Sequence, residues 1–187
     1  MREIQQADNP VLRLVAKEIP LKEIGSSSIR GIVADMKSLL AKEEFGVAIA
    51  APQVGESLRL FVVAGSAGLQ KKRSSRKRVE GEVEEKFEGI PALDEVYVNP
   101  IIVKTSRQKK EKHEGCLSVR GKWGEVLRAS KVTVRAYNEK GEKFERGASG
   151  FLAHIYQHEI DHLNGILYTD KATRMYDEST DNDRQGA

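Results

Sequence analysis

The chain has 187 residues, 39% of them hydrophobic, with 31 Lys and Arg against 28 Asp and Glu for a net charge of +3. That length suits one domain with one core, and so even a charge balance gives no general attraction to DNA. No apolar run approaches the roughly 20 residues that cross a bilayer. Met1 to Asp8 is polar and mixed in charge, unlike a secretory signal, so a cytoplasmic protein without a membrane partner is expected. The single cysteine, Cys116, cannot close an internal disulfide, so its thiol is either buried filler or chemically employed.

Asp8-Asn9-Pro10 predicts a helix start, with Asn9 as cap and Pro10 in the first helical position. Val11, Leu12, Leu14 and Val15 would form its apolar face, and Pro20 would end it. Ile29, Ile32, Val33, Met36, Leu39 and Leu40 recur at helical spacing and predict a longer helix over 27–44 with one buried side. Gly46 to Gly55 is small, apolar and bounded by glycines, which predicts a buried loop or short strand where other backbone comes close. Leu58 to Ala64 is strand-like. Residues 65–90 form an exposed excursion, and the charged insertion at 67–90 contains six Lys or Arg among 71–78 followed by five Glu among 80–88. A solvated loop is the plain reading of such a run; transient contact with ribosomal RNA is the sharper one.

Val96 to Val103 is strand-like, and Pro100 implies an edge or a bend. Val132 to Tyr137, a turn at Asn138 to Gly141, and a return strand from Lys143 form a hairpin. Ser149 caps a final helix that runs to about Leu163, with Gly165 placed to stop it. Residues 177–187 are a polar tail, which leaves one domain over 1–176. Strands and segregated helices without βαβ alternation indicate an α+β fold, with antiparallel β-sheets packed around the C-terminal helix.

That helix carries His158-Glu159-Ile160-Asp161-His162, the HExxH pattern. Spacing of four puts both imidazoles on one face about a turn apart, able to share one divalent ion, with Glu159 near the ion's open position as general base. Phe151, Leu152, Ile155, Leu163 and Ile166 surround the motif with apolar residues, and a buried histidine pair needs a reason. A third ligand is required if one position is to stay open for water. The candidates are carboxylates, His113, His154 and Cys116. His154 lies near the same helix face, and Cys116 follows Gly115 in a stretch that permits tight backbone geometry and offers a strong thiolate ligand. A zinc peptidase and a noncatalytic metal-binding protein would share the HExxH pattern; an intact Glu159 disfavours the second.

Three motifs in order, GVAIAAPQ at 46–53, EGCLS at 114–118 and QHEIDH at 157–162, resemble those of the peptide deformylases. The similarity extends through DNPVLRLVAKEI, GEVLRASKVTVRAYNEKGEKFE and HLNGILY, and covers residues 4 to about 172 outside 67–90. The resemblance implies hydrolysis of the N-formyl group from the formyl-methionine of nascent polypeptides by a monomeric enzyme. It implies one divalent metal ion held by Cys116, His158 and His162, ferrous iron in the cell, with zinc, nickel or cobalt able to substitute. Glu159 would be the general acid and base, and the Gln53 amide with the Leu117 N–H would stabilise the oxyanion. Glu114 and Arg128 would form a supporting ion pair. Val47, Phe151, Ile155 and the His158 ring would line a methionine pocket, while the backbone of Gly46 to Ala48 and of Glu114, Gly115 and their neighbours to 117 would pair with the extended substrate. Two positions depart from the family pattern. Ala48 stands where glycine is usual, tolerable only if its φ is negative, and Arg120 stands where proline is usual and alters a loop rim. Trp123 would stand near the substrate entrance, although a lone tryptophan is more often packing.

Overall fold

The computed structural model describes residues 2–65 and 92–177. The charged insertion expected at 67–90 and nearly all of the expected polar tail lie outside these residues. Five antiparallel strands form one sheet in the order β1-β2-β3-β6-β7: β1 Ala48–Ala50, β2 Leu60–Val63, β3 Glu95–Thr105, β6 Lys131–Tyr137 and β7 Lys143–Ser149. Three more, β4 Lys109–Cys116, β5 Val119–Ala129 and β8 Ala172–Asp177, form a second sheet in the order β4-β5-β8. Helix α1 is Ser27–Lys42 and helix α2 is Gly150–Leu163. The two sheets flank α2, which gives the expected α+β arrangement.

The α1 stripe behaves as its spacing predicts: Ile29, Ile32, Val33, Met36 and Leu40 are buried against the core, and Ser26 caps the first turn by accepting from the Ile29 N–H. The shorter N-terminal segment does not. Asn9 does cap, accepting from the Val11 N–H, but the helix is a single 3-10 turn, Pro10–Arg13, in which Leu12 alone is buried. Leu14 and Val15 are exposed. The chain leaves helical geometry at Leu14 to run beside the end of α2, where Ala16 N–H donates to Leu163 O at 2.9 Å.

Pro100 marks a bend but not an edge, because β3 lies between β2 and β6. The register with β6 shifts between Val98 and Ile101, and Asn99 takes a positive φ of 50° there. Its side-chain amide pairs with Ile19 in both directions, accepting from Ile19 N and donating to Ile19 O at 2.8 Å each. The Asn99 side chain thus satisfies the Ile19 backbone beside the bend.

The expected hairpin is β6–β7, with Gly141 left-handed and Asn138 Oδ1 accepting from Lys140 and Glu142 N–H. Helix α2 is held on both sides. Tyr156 meets the Tyr97 hydroxyl of β3 at 2.5 Å, and Tyr97 passes its own hydrogen to Glu95. On the other side, the Gln157 side chain accepts from Ala129 N–H and donates to Ala129 O, at 2.9 and 3.0 Å, acting as a strand residue would toward the end of β5. Gly165 stops the helix with a φ of 72°, and a Cβ there would lie 2.6 Å from Arg13 O. Gly165→Ala is therefore expected to lower stability by about 1–3 kcal/mol through left-handed strain and the clash. Denaturant unfolding measures this directly, and a change below about 0.5 kcal/mol would contradict the packing described.

Candidate active site

β4 runs into β5 through a tight hairpin that carries residues 114–118. Gly115 is required in it, since a Cβ would come within 2.8 Å of the Trp123 ring on β5. Helix α2 presents His154, His158, Glu159, Asp161 and His162 from an otherwise apolar surface, and the 3-10 turn Ala51–Val54 presents Gln53. These three elements meet at the base of a groove of about 500 Å³.

Cys116, His158 and His162 each offer one donor atom, and the three atoms lie within 4.8 Å of one another. Cys116 Sγ is 3.2 Å from His162 Nε2. His158 Nδ1 is engaged by Glu114 Oε2 at 2.8 Å, which fixes the ring plane and leaves Nε2 as the nitrogen that could ligate a metal. Burial lowers the His158 pKa, but the Cys116 and Glu114 groups outweigh it and hold the ring well above its ordinary value. His162 is pushed the other way, well below its ordinary value by burial, and so is in the neutral form that ligates metals. Its Nδ1 and Glu159 Oε2 are buried without a partner among the described residues. Burial raises the Glu159 carboxyl to about 7. A divalent ion at the three donors would supply the counter-charge this carboxylate otherwise lacks. One thiolate and two imidazoles suit a transition metal, so the residues present fit the group.

Gln53 is held in one orientation. Its Oε1 accepts from Ala50 N–H at 2.8 Å, so its amide hydrogens must point to the other side, at Ser118 Oγ (3.2 Å) and Cys116 Sγ (3.5 Å). Of the other candidate ligands, His113 is largely exposed and faces Glu125 at 4.0 Å, and His154 turns its Nε2 to Glu114 Oε1 at 2.7 Å. Neither joins the donor cluster. Ala48 carries no strain, since Asn99 alone among the described non-glycine residues has a positive φ. Trp123 is 38% exposed and stands in the groove wall rather than in a core. Val47, Phe151, Ile155 and the His158 ring line the groove together, and Gly46, Gly115 and Leu117 lie along it.

The charged support is larger than one ion pair. Arg128 donates to both oxygens of Glu114, at 2.6 and 3.0 Å, and to Asp161 at 2.5 Å, while Lys171 donates to Asp161 at 2.7 and 2.8 Å. Burial would raise the Glu114 carboxyl, but His154, His158 and Arg128 together hold it well below the usual carboxylate range. His154 itself is kept neutral by burial and donates without carrying charge. Asp161, Ser118 and Gln157 lie inside the motifs but carried no expected role, and Lys171 lies outside them. The first had a signal: His154, His158 and Asp161 follow one another at spacings of four and three on an apolar helix, a polar stripe that has to be satisfied internally.

The sheets, the buried HExxH helix and the polar cluster define a hydrolase with an open-ended groove leading to its reactive groups. The family model of polypeptide deformylase matches residues 1–178. The peptide deformylase of Halothermothrix orenii is 40% identical over 176 residues, spanning 94% of this chain and 96% of that protein. A class I type b peptide deformylase from Acinetobacter baumannii, solved bound to Met-Ala-Ser, superposes with a TM-score of 0.74 at 32% identity over 91% of this chain and 97% of that one. A peptide deformylase from Synechococcus elongatus, solved with actinonin, superposes at 0.73 with 27% identity over 92% of this chain and 79% of that one. The chain belongs to the polypeptide deformylase family, and its function is peptide deformylation.

Proposed function

We propose that the chain is a metal-dependent deformylase that releases formate from the N-formyl-methionine of nascent polypeptides. The observation that supports this best is the convergence of Cys116, His158 and His162 donor atoms within 4.8 Å, beside a buried Glu159 and an oriented Gln53 amide. Cys116, His158 and His162 hold the ion: ferrous iron in the cell, with zinc, nickel or cobalt acceptable to the same donors. The ion, when bound, supplies water of lowered pKa as a nucleophile at neutral pH. Glu159 takes the proton released on attack and returns it to the departing amine nitrogen, which is a poor leaving group until protonated. The Gln53 amide and the Leu117 N–H, both neutral donors, take up the negative charge that forms on the formyl oxygen.

The substrate lies extended in the groove. Among the described residues, strand β1 pairs only with β2 and strand β4 only with β5, so each stands at the edge of its sheet. Residues 46–48 on one bank and 114–117 on the other can add the peptide as an intervening strand. The methionine side chain enters the apolar pocket of Val47, Phe151, Ile155 and the His158 ring. We place the enzyme in the cytoplasm as a monomer that meets nascent chains; no helix among the described residues is long and apolar enough to cross a membrane.

Protein loaded anaerobically with ferrous iron, or with nickel, is expected to release formate from a formyl-methionyl tripeptide, and to stop when a chelator removes the ion. A folded, fully metallated protein that releases none would overturn the proposal. Cleavage of unformylated peptides instead would mark a zinc peptidase.

A further inference from the structure

The rim of the groove carries an ion pair that the catalytic scheme does not use. Glu43, the residue that ends α1, and Arg120, at the start of β5, stand on opposite banks and meet at 3.1 Å. Both line the same groove as Cys116 and Glu159, as does Lys122. The Arg120 side chain is 62% exposed and that of Glu43 is 25% exposed, so the cation is the more accessible partner. A peptide held between β1 and the 114–117 segment, with its formyl end at the metal donors, must leave the groove past this pair. The residues after methionine therefore meet it.

Exposed ion pairs contribute little to stability, so Arg120 can exchange Glu43 for a carboxylate on the peptide with small loss. Among the described residues at this rim, a lysine on the peptide can pair with Glu43 and meets Arg120 and Lys122 as like charges. Among the described residues, this rim carries the cations Arg120 and Lys122 against the carboxylate of Glu43. We propose that Arg120, held over the groove by Glu43, is a specificity-determining residue that favours peptides with an acidic side chain in the first two positions after methionine. This inference rests on the deformylase reading and adds a substrate preference to it.

The test compares C-terminally amidated formyl-Met-Asp-Ala and formyl-Met-Ala-Asp with their lysine counterparts and with neutral formyl-Met-Ala-Ser. In parallel, the unformylated peptides are titrated against the fluorescence of Trp123. It is the chain's single tryptophan and lines the groove, so it reports binding without turnover. At low salt, kcat/KM and affinity are both expected to favour aspartate over lysine about three- to fivefold, the range of an exposed ion pair. The ratio should fall toward one at high ionic strength. Arg120→Glu should invert it and Glu43→Gln should increase it. Equal handling of the acidic and basic peptides, or a ratio unchanged in Arg120→Glu, overturns the inference. If the neutral peptide is hydrolysed without any charge preference, this inference alone fails. If no formylated peptide is hydrolysed, the deformylase reading fails and takes this inference with it.

Discussion

Glu159→Ala is expected to lower kcat by about 10²–10⁴, the usual contribution of a positioned acid–base group, while metal content stays at one ion per chain. The carboxylate is not among the three donors that converge within 4.8 Å, so its loss leaves the metal set intact. It is buried with Oε2 unpartnered among the described residues, and burial raises it to about 7. A group kept for the fold would be satisfied by hydrogen bonds. This one is held in a position that destabilises its charged form, as expected of a residue that accepts and returns a proton near neutrality. Removing it should therefore leave the melting temperature unchanged or raise it, while activity collapses. Formate release, metal analysis and thermal unfolding on parent, Glu159→Ala and Glu159→Gln together decide the matter. Retained turnover in both variants, or loss of metal in both, would remove Glu159 from the role assigned to it.

The parts of this fold that follow simple periodicity were visible in the sequence. The α1 stripe of Ile29, Ile32, Val33, Met36 and Leu40, the alternating β6 strand and its Asn138–Gly141 turn, and the HExxH helix all combine local preference with tertiary burial. Strand β4 gave no such signal. Lys109, Lys110, Glu111, Lys112 and His113 are solvated or nearly so, and Glu114 is its one fully buried side chain. That strand is buried through a carboxylate rather than through apolar residues, and hydrophobic patterning is blind to it. The N-terminal segment misled for the opposite reason. Asn9 and Pro10 start a helical turn correctly, but the backbone then bonds to the end of α2, a long-range contact that local propensity does not encode. At the site, the family resemblance brought forward the candidate metal donors Cys116, His158 and His162, together with Gln53 and the pair of Glu114 with Arg128. Asp161 and Lys171 escaped because the need for them arises only once Arg128 is buried with more donors than Glu114 alone can meet.

Glu114→Ala should have the largest effect on the protein as a folded object. The Glu114 side chain is 1% exposed and accepts from Arg128, His154 and His158. Truncation leaves a buried guanidinium with Asp161 as its remaining carboxylate, and Asp161 is already shared with Lys171. Breaking a buried pair by removing one partner destabilises by about 3–5 kcal/mol, because the other charge stays behind. The same change frees the His158 ring, and loss of such an orienting partner weakens metal affinity about 10–100-fold. The two readouts separate the roles: Arg128→Met should reproduce much of the stability loss with a smaller effect on metal affinity, because Arg128 touches no ligand directly. The acid limb adds a third check. Glu114 has a folded pKa below its ordinary 4.5, so the stability it contributes is fully present above that value and is lost as pH falls below it. Glu114→Gln should accordingly flatten the fall of stability on the acid side relative to the parent. A Glu114→Ala variant with less than about 1 kcal/mol of destabilisation and unaltered metal affinity would show that the carboxylate is a bystander. The expected outcome ties fold and chemistry to one side chain, since the carboxylate that pairs with buried Arg128 also orients the ring of His158.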